Sequence, residues 1–382
     1  MRRLSLHIGT HKTGSTAIQA AFDGYSWGDA RYASLEFRNH SIPFYTVFSG
    51  KHQDYHIWRS ANLTPAEIEK KKQQLHRLIE SEIGSDTRHL IVSGEDISLI
   101  DHKGIEAIAD LCSKANRKVD VIVYVRDPVS FTQSDFQETI KSGSVLARPP
   151  YMNYRNRIEK FLTIFGADHV TFRHYDRSKL VDGDVVSDFS EVIGVRKPRK
   201  TATENTSLST EAVRILWALN SLVPRFTPDK AIKIARTSLI DHLRTVFPGK
   251  FQFPESISRS LIDIEDVEWL KHNSGIDFTP VGPRPGPFDN KEYLAFLNAF
   301  TDEMTTKLRD HVQGIASDWN DTDDRVGLVA RYFMTFLRDR DQRAADFSPG
   351  RYLDLNPDVR RAGVDPFVHF VKHGFEKGRR VV

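Results

Sequence analysis

The chain has 382 residues, enough for two or so domains with substantial cores. Its formal charge of +3, with 39% hydrophobic and 27% charged residues, is that of an ordinary soluble protein and lacks the basic excess of a general nucleic-acid binder. No run approaches the roughly 20 apolar residues that span a bilayer, Met1-Arg2-Arg3 leads into a strand without an apolar signal region, and the lone Cys112 cannot form an intrachain disulfide; a cytoplasmic protein is expected.

The first element reads as a strand from Leu4 to Ile8. It breaks at Gly9 and restarts as a helix after Thr10-His11-Lys12-Thr13-Gly14-Ser15-Thr16, with Ala17, Ile18, Ala21 and Phe22 at apolar helical spacing. A strand-to-helix turn of this kind offers backbone N–H groups and the positive end of a helix dipole to an anion. The nucleoside triphosphate loop, G-x-x-x-x-G-K-[ST], carries lysine after its second glycine. Here Ser15 holds that place and the loop's lysine is Lys12.

From Tyr25 to Trp58 the chain is rich in aromatic residues and histidines and has no clean period, so loops with short strands are expected, either an acceptor-binding wall or a surface excursion. Thr64-Pro65-Ala66-Glu67 is a capping box that predicts a helix to about Ile83. A strand at Leu90–Ser93 ends in Gly94-Glu95-Asp96. A helix over about 103–115, with Cys112 on its apolar side, leads to the strand Val119–Val125. Strands alternating with helices imply an α/β fold, a central parallel β-sheet with helices on both faces. Ligands of such sheets lie at the carboxyl ends of the strands, here Gly9 to Ser15, Glu95, and Arg126-Asp127.

Asp127 and Pro128 are placed as N-cap and first residue of another helix, with Ser130 and Ser134 one turn apart near Arg126. An arginine fork with hydroxyls at a helix start is a second phosphate-type site. Val170–Asp176 reads as a further strand, Asp184–Ile193 as a short helix, and Asn205-Thr206-Ser207-Leu208-Ser209 introduces a helix to about Leu222. Val281 to Pro287 forms a Pro/Gly linker (281–290) that closes a first domain of about 1–280. A helical extension (291–345) follows, with helices over 291–312 and 325–338. A small module (346–382) ends the chain, its Asn-Pro and Asp-Pro breaks suggesting two short helices.

His-Lys-Thr-Gly-Ser-Thr at 11–16, with Arg-Asp-Pro at 126–128 and Ser134 eight residues after Arg126, resembles the sulfotransferases that use 3′-phosphoadenosine-5′-phosphosulfate (PAPS), and the loop is particularly similar to carbohydrate sulfotransferases. Tyr175-Asp176, Asn205 to Ser209, Trp269-Leu270 and Gly275 to Phe278 extend the resemblance over about residues 4–280, although the late Arg-Lys-Gly segment of animal cytosolic members is not visible. The resemblance implies a P-loop-like sulfotransferase fold, with His11, Lys12, Thr13, Gly14, Ser15 and Thr16 at the 5′-phosphosulfate and Arg126 and Ser134 at the 3′-phosphate. No metal is required, and the acceptor would be a carbohydrate hydroxyl on bacterial surface polysaccharide, lipopolysaccharide or glycolipid.

Lys12 is then expected at the leaving oxygen and Glu95 as general base, with His11, His40, His52 and His56 as rivals, while His7 belongs in the sheet. A kinase with a variant P-loop would need Mg²⁺ on Asp96 or Asp127, and a non-catalytic scaffold of polysaccharide assembly remains a reading of another class. The tail resembles a module at the ends of bacterial glycosyltransferases, which implies docking to polysaccharide-biosynthesis proteins.

Overall fold

The computed structural model describes residues 2–199, 207–223, 225, 227, 229–282, 284, 286–313 and 324–382. The chain forms two compact units, one of residues 1–132, 151–205 and 261–285, the other of 133–150, 206–260 and 286–382.

The first unit is α/β. Its six strands are β1 (Arg2–His7), β2 (Ser26–Trp27), β3 (Ala30–Tyr32), β4 (His89–Ser93), β5 (Arg117–Val125) and β6 (Val170–His174), in the order β2-β3-β4-β1-β5-β6. All neighbours run parallel except β2 and β3, which form an antiparallel hairpin at the edge, so the sheet is mostly rather than wholly parallel. Strand alternation divides the core. Leu4, Leu6, Leu90, Val92, Val119, Val121, Val123 and Val125 pack on one face, joined late in the chain by Val267, Leu270 and Phe278. Ile91, Ile122 and Tyr124 pack on the other with Ile18, Phe22 and Phe189. Both faces are therefore covered.

Seven of the unit's helices, with α6 shared, are α1 (Ser15–Phe22), α2 (Ser41–Phe48), α3 (His56–Ser60), α4 (Pro65–Gly84), α5 (His102–Lys114), α6 (Pro128–Lys141) and α7 (Tyr154–Phe165). The capping box is formed as expected, Thr64 N–H donating to Glu67 Oε2 at 2.7 Å. The stretch 25–58 differs from the expected loops and short strands. It holds β2 and β3 but also α2, whose Ser-Ile-Pro-Phe-Tyr-Thr-Val-Phe composition reads as strand and hides any amphipathic period, because Ser41, Pro43, Phe44, Thr46 and Val47 are all buried.

The second unit is helical. Phe136, Trp217, Phe251, Phe253 and Tyr293 form its aromatic cluster, with Phe136 and Phe253 ring centres 4.9 Å apart. The expected helix over 291–312 is two helices, Asn290–Asn298 and Asp302–Val312: the backbone turns extended at Ala299, and Thr301 caps the second by accepting from Met304 N–H. The helix Arg325–Arg338 packs on Lys230–Val246 and Asp302–Val312. The tail has more helical pieces than the expected two. Pro349–Leu355 and Pro357–Ala362 flank the Asn-Pro break, and Pro366–His369 with a π turn to Gly374 follows the Asp-Pro break. Asn205 and Thr206 lie outside the described residues, while Ser209 caps Thr210–Asn220. No described helix is long and apolar enough to cross a membrane.

Candidate functional site

Three strand ends meet at the loop between β1 and α1. Thr10 N–H donates to Tyr124 O at 2.8 Å and Tyr124 N–H to Gly9 O at 2.6 Å, which continues the β1–β5 ladder into the loop. The backbone is left-handed at Gly9, Lys12 and Gly14 (φ 87°, 62° and 80°), so the turn reverses tightly and α1 begins directly after Gly14. Thr13 Oγ1 donates to Thr10 O at 2.5 Å and Ser15 is buried, so both brace the loop from inside, whereas Thr16 is exposed at the first turn of α1. A lysine held at positive φ is a conformation that most residues avoid, tolerated here because the loop's closure requires it.

Both loop glycines are sites of close approach. A Cβ on Gly9 would lie 2.8 Å from Glu95 Cβ, and one on Gly14 would lie 2.8 Å from Val185 Cγ1 and 3.1 Å from the Tyr175 ring. Glu95 is therefore packed directly on the loop. Its Oε2 accepts from Gln19 Nε2 at 2.7 Å and its Oε1 from Asn39 Nδ2 at 3.3 Å. Two neutral amides orient the carboxylate while leaving lone pairs on each oxygen to accept a further proton donor.

Arg126, at the end of β5, reaches back to this loop. Its Nη1 donates to Lys12 O at 3.0 Å and its Nε to Ser130 Oγ at 2.9 Å, and the guanidinium sits 5.8 Å from the centre of the Tyr175 ring. Burial lowers its pKa from the ordinary arginine value, but the group stays charged at any physiological pH. Asp127 caps α6 as the sequence suggests, accepting from Ser130 N–H at 2.8 Å. Ser134 lies one turn further along α6, in the part that belongs to the second unit. The Arg126 guanidinium therefore meets the loop at the backbone carbonyl of Lys12.

His11 is consumed by its neighbours. Arg157 of α7 is a donor without acceptor capacity, so its 3.0 Å contact makes His11 Nδ1 the acceptor, and His11 Nε2–H then donates to Asp96 Oδ1 at 2.8 Å. Neither nitrogen keeps a lone pair for a substrate proton, which argues against His11 as base. Asp96 also accepts from Tyr55 OH at 2.6 Å. Burial alone would raise its pKa, yet the hydrogen bonds from His11 and Tyr55 hold it below the usual carboxylate value.

The other histidines separate in the same way. His40 is fully buried, donates from Nε2 to Ala33 O at 3.0 Å and accepts Ser93 N–H at 3.1 Å, and burial lowers its pKa to about 3. His52 is paired with Glu69 at 2.6 Å, and His56 is exposed beside Tyr55. His7 is buried in the sheet as expected, its Nδ1 2.7 Å from Ser93 Oγ and its pKa lowered to about 3 by burial. Cys112 is core, with burial pushing its thiol up to about 12.

Of the two acids a kinase would need for Mg²⁺, Asp96 accepts from His11 and Tyr55, and Asp127 caps α6 through Oδ1. Among the described residues no cluster of three His, Cys, Asp or Glu side chains is arranged for a metal. The residues that reasoning from sequence missed are Gln19, Asn39, Tyr55 and Arg157. Of these only Gln19 left a signal, a polar residue next to the apolar stripe Ile18, Ala21 and Phe22, and it is 3% exposed. No protein-family model matches the chain, and no curated protein or solved structure is significantly similar to it.

Proposed function

We propose that the chain is a sulfotransferase with a P-loop-like fold that moves a sulfuryl group from PAPS to a carbohydrate hydroxyl by in-line transfer. The observation that carries this reading is the contact between Arg126, at the end of β5, and the backbone of Lys12, which brings a guanidinium to the glycine-rich loop. The loop N–H groups and Lys12 suit a 5′-phosphosulfate, and Arg126 beside Ser130 suits a separate 3′-phosphate. A nucleotide with phosphates at both positions needs both features. A triphosphate needs only the first.

In this reading Glu95 takes the proton of the acceptor hydroxyl as that oxygen bonds to sulfur. Lys12 and the first-turn N–H groups of α1 hold the negative charge left on the departing phosphate oxygen when the S–O bond breaks. Gln19 and Asn39 keep the Glu95 carboxylate turned toward the loop. Lysine and backbone N–H groups perform the neutralisation that a metal performs in kinases. The acceptor class, a hydroxyl of bacterial surface polysaccharide, lipopolysaccharide or glycolipid, and a docking role for residues 346–382 follow from the family resemblance.

Calorimetry with adenosine 3′,5′-bisphosphate in the presence of a metal chelator, against ATP with Mg²⁺, tests the donor assignment. Binding of the bisphosphate without metal, together with transfer of labelled sulfate to a glycan acceptor panel, is the expected result. Tight binding of ATP with Mg²⁺ and none of the bisphosphate would overturn it.

A further inference from the structure

At the opposite end of the sheet from the loop, the starts of β1, β3 and β4 and the segment 194–196 enclose an open trough of about 430 Å³. Strand β1 is six residues long, so this trough is roughly 17 Å or more from the donor loop along the sheet. Its walls carry Arg3, Arg88 and Arg196, with Asp29 as the acid among them. Arg88 is paired with Asp29 at 3.3 Å, and both side chains are mostly exposed. Arg3 is held by Ile193 O and His89 Nδ1 at 2.7 and 2.9 Å, which fixes its guanidinium at the floor. Trp27, on the edge strand β2, is 55% exposed, the most solvent-open aromatic ring of the described core elements, and the Arg196 guanidinium lies 4.5 Å from its centre.

Three guanidiniums against one carboxylate make the trough cationic, and arginine forks match the planar or tetrahedral oxygens of carboxylate and sulfate. The indole, 55% exposed although the Arg196 guanidinium lies over its ring, supplies in its remaining open surface a flat apolar platform of the kind on which the C–H face of a sugar ring rests. A small inorganic ion would use the arginines and ignore the ring, while a neutral sugar would use the ring and ignore the arginines. A trough open along the edge of the sheet, rather than a closed pocket, admits the middle of a chain.

We propose that this trough is a second binding site, for an anionic saccharide bearing sulfate or carboxylate groups, with Trp27 under a sugar ring and Arg88 and Arg196 on its charges. The choice of a saccharide among chain anions rests on the carbohydrate reading above, but the site itself does not depend on the donor loop. The test is therefore one of binding, made on the full chain with saturating adenosine 3′,5′-bisphosphate present. The probes are a dextran sulfate oligosaccharide and an unsulfated dextran of equal length, followed by calorimetry and tryptophan fluorescence for the wild type, Trp27→Ala, Arg196→Ala and Arg88→Ala.

The sulfated chain should bind the wild type at least tenfold more tightly than the neutral one, and Trp27→Ala and Arg196→Ala should each lose at least tenfold. Circular dichroism should be unchanged, since both side chains are exposed. Equal affinity in all four proteins, equal binding of neutral dextran, or displacement of the sulfated chain by the bisphosphate would overturn the proposal. Failure of the bisphosphate itself to bind would instead count against the donor reading and leave the Trp27 and Arg196 comparison standing.

Discussion

Replacing Arg126 with alanine separates a ligand-binding arginine from one that only braces the loop. The substitution removes two hydrogen bonds, to Lys12 O and to Ser130 Oγ, and the contact with the Tyr175 ring. A hydrogen bond from a charged donor contributes about 1.5–3 kcal/mol. One such bond lost to a 3′-phosphate weakens binding by roughly 10- to 150-fold. Calorimetry on wild type and Arg126→Ala should use adenosine 3′,5′-bisphosphate and 5′-AMP in parallel. If the guanidinium grips the 3′-phosphate, the bisphosphate loses that full factor while 5′-AMP loses only the part due to a looser loop. Arg126→Lys should recover part of the loop's stability but little of the discrimination, because an ammonium cannot span Lys12, Ser130 and a phosphate together. Equal weakening of both nucleotides would refute the assignment and leave Arg126 a brace.

Lys12→Ala should lower turnover by about 10²- to 10³-fold with the fold intact, and Glu95→Gln should lower turnover while leaving calorimetric affinity for the bisphosphate within a few-fold of wild type. Gly9→Ala should destabilise the protein by about 2 kcal/mol or more in urea unfolding, since its Cβ would collide with Glu95 at 2.8 Å and its φ is +87°. His7 and His40 have folded pKa values of about 3, below the ordinary value of 6.5, so the unfolded chain takes up protons first as pH falls. Their contribution to stability is present above pH 6.5 and is lost on the way down toward 3, about 2 kcal/mol for each between pH 7 and 5. Urea midpoints over that range should show the loss, and His40→Gln should remove its share of the slope; a flat profile would contradict the burial of both rings.

Much of the frame was legible because it is local. The apolar alternation of β1 and β5, the Thr64 capping box, the Asp127–Pro128 helix start and the two loop glycines are each written in a few adjacent residues. Helix α2 was not, since its β-branched and aromatic residues are helical only through burial on all sides. The details of the site were least legible. Arg157 meets His11 across 146 positions of chain and Tyr55 meets Asp96 across 41, and no spacing rule joins residues so far apart. That is why the sequence left five candidate bases open, whereas pairing in the folded chain engages both nitrogens of His11 and His40 and sets Glu95 against the loop.

The face of the sheet formed by Leu4, Leu90 and Val123 is closed in part by Val267, Leu270 and Phe278, and about 150 residues separate β5 from Phe278. At 5–20 residues per second a ribosome needs about 8–30 s to make that stretch. Through that interval the sheet, five strands at its start and six once β6 is made, has part of its greasy side uncovered, a window far longer than collapse takes. Shielding of that surface during translation should therefore matter for yield, and added holdase capacity should raise the soluble fraction more than stabilising the finished fold would.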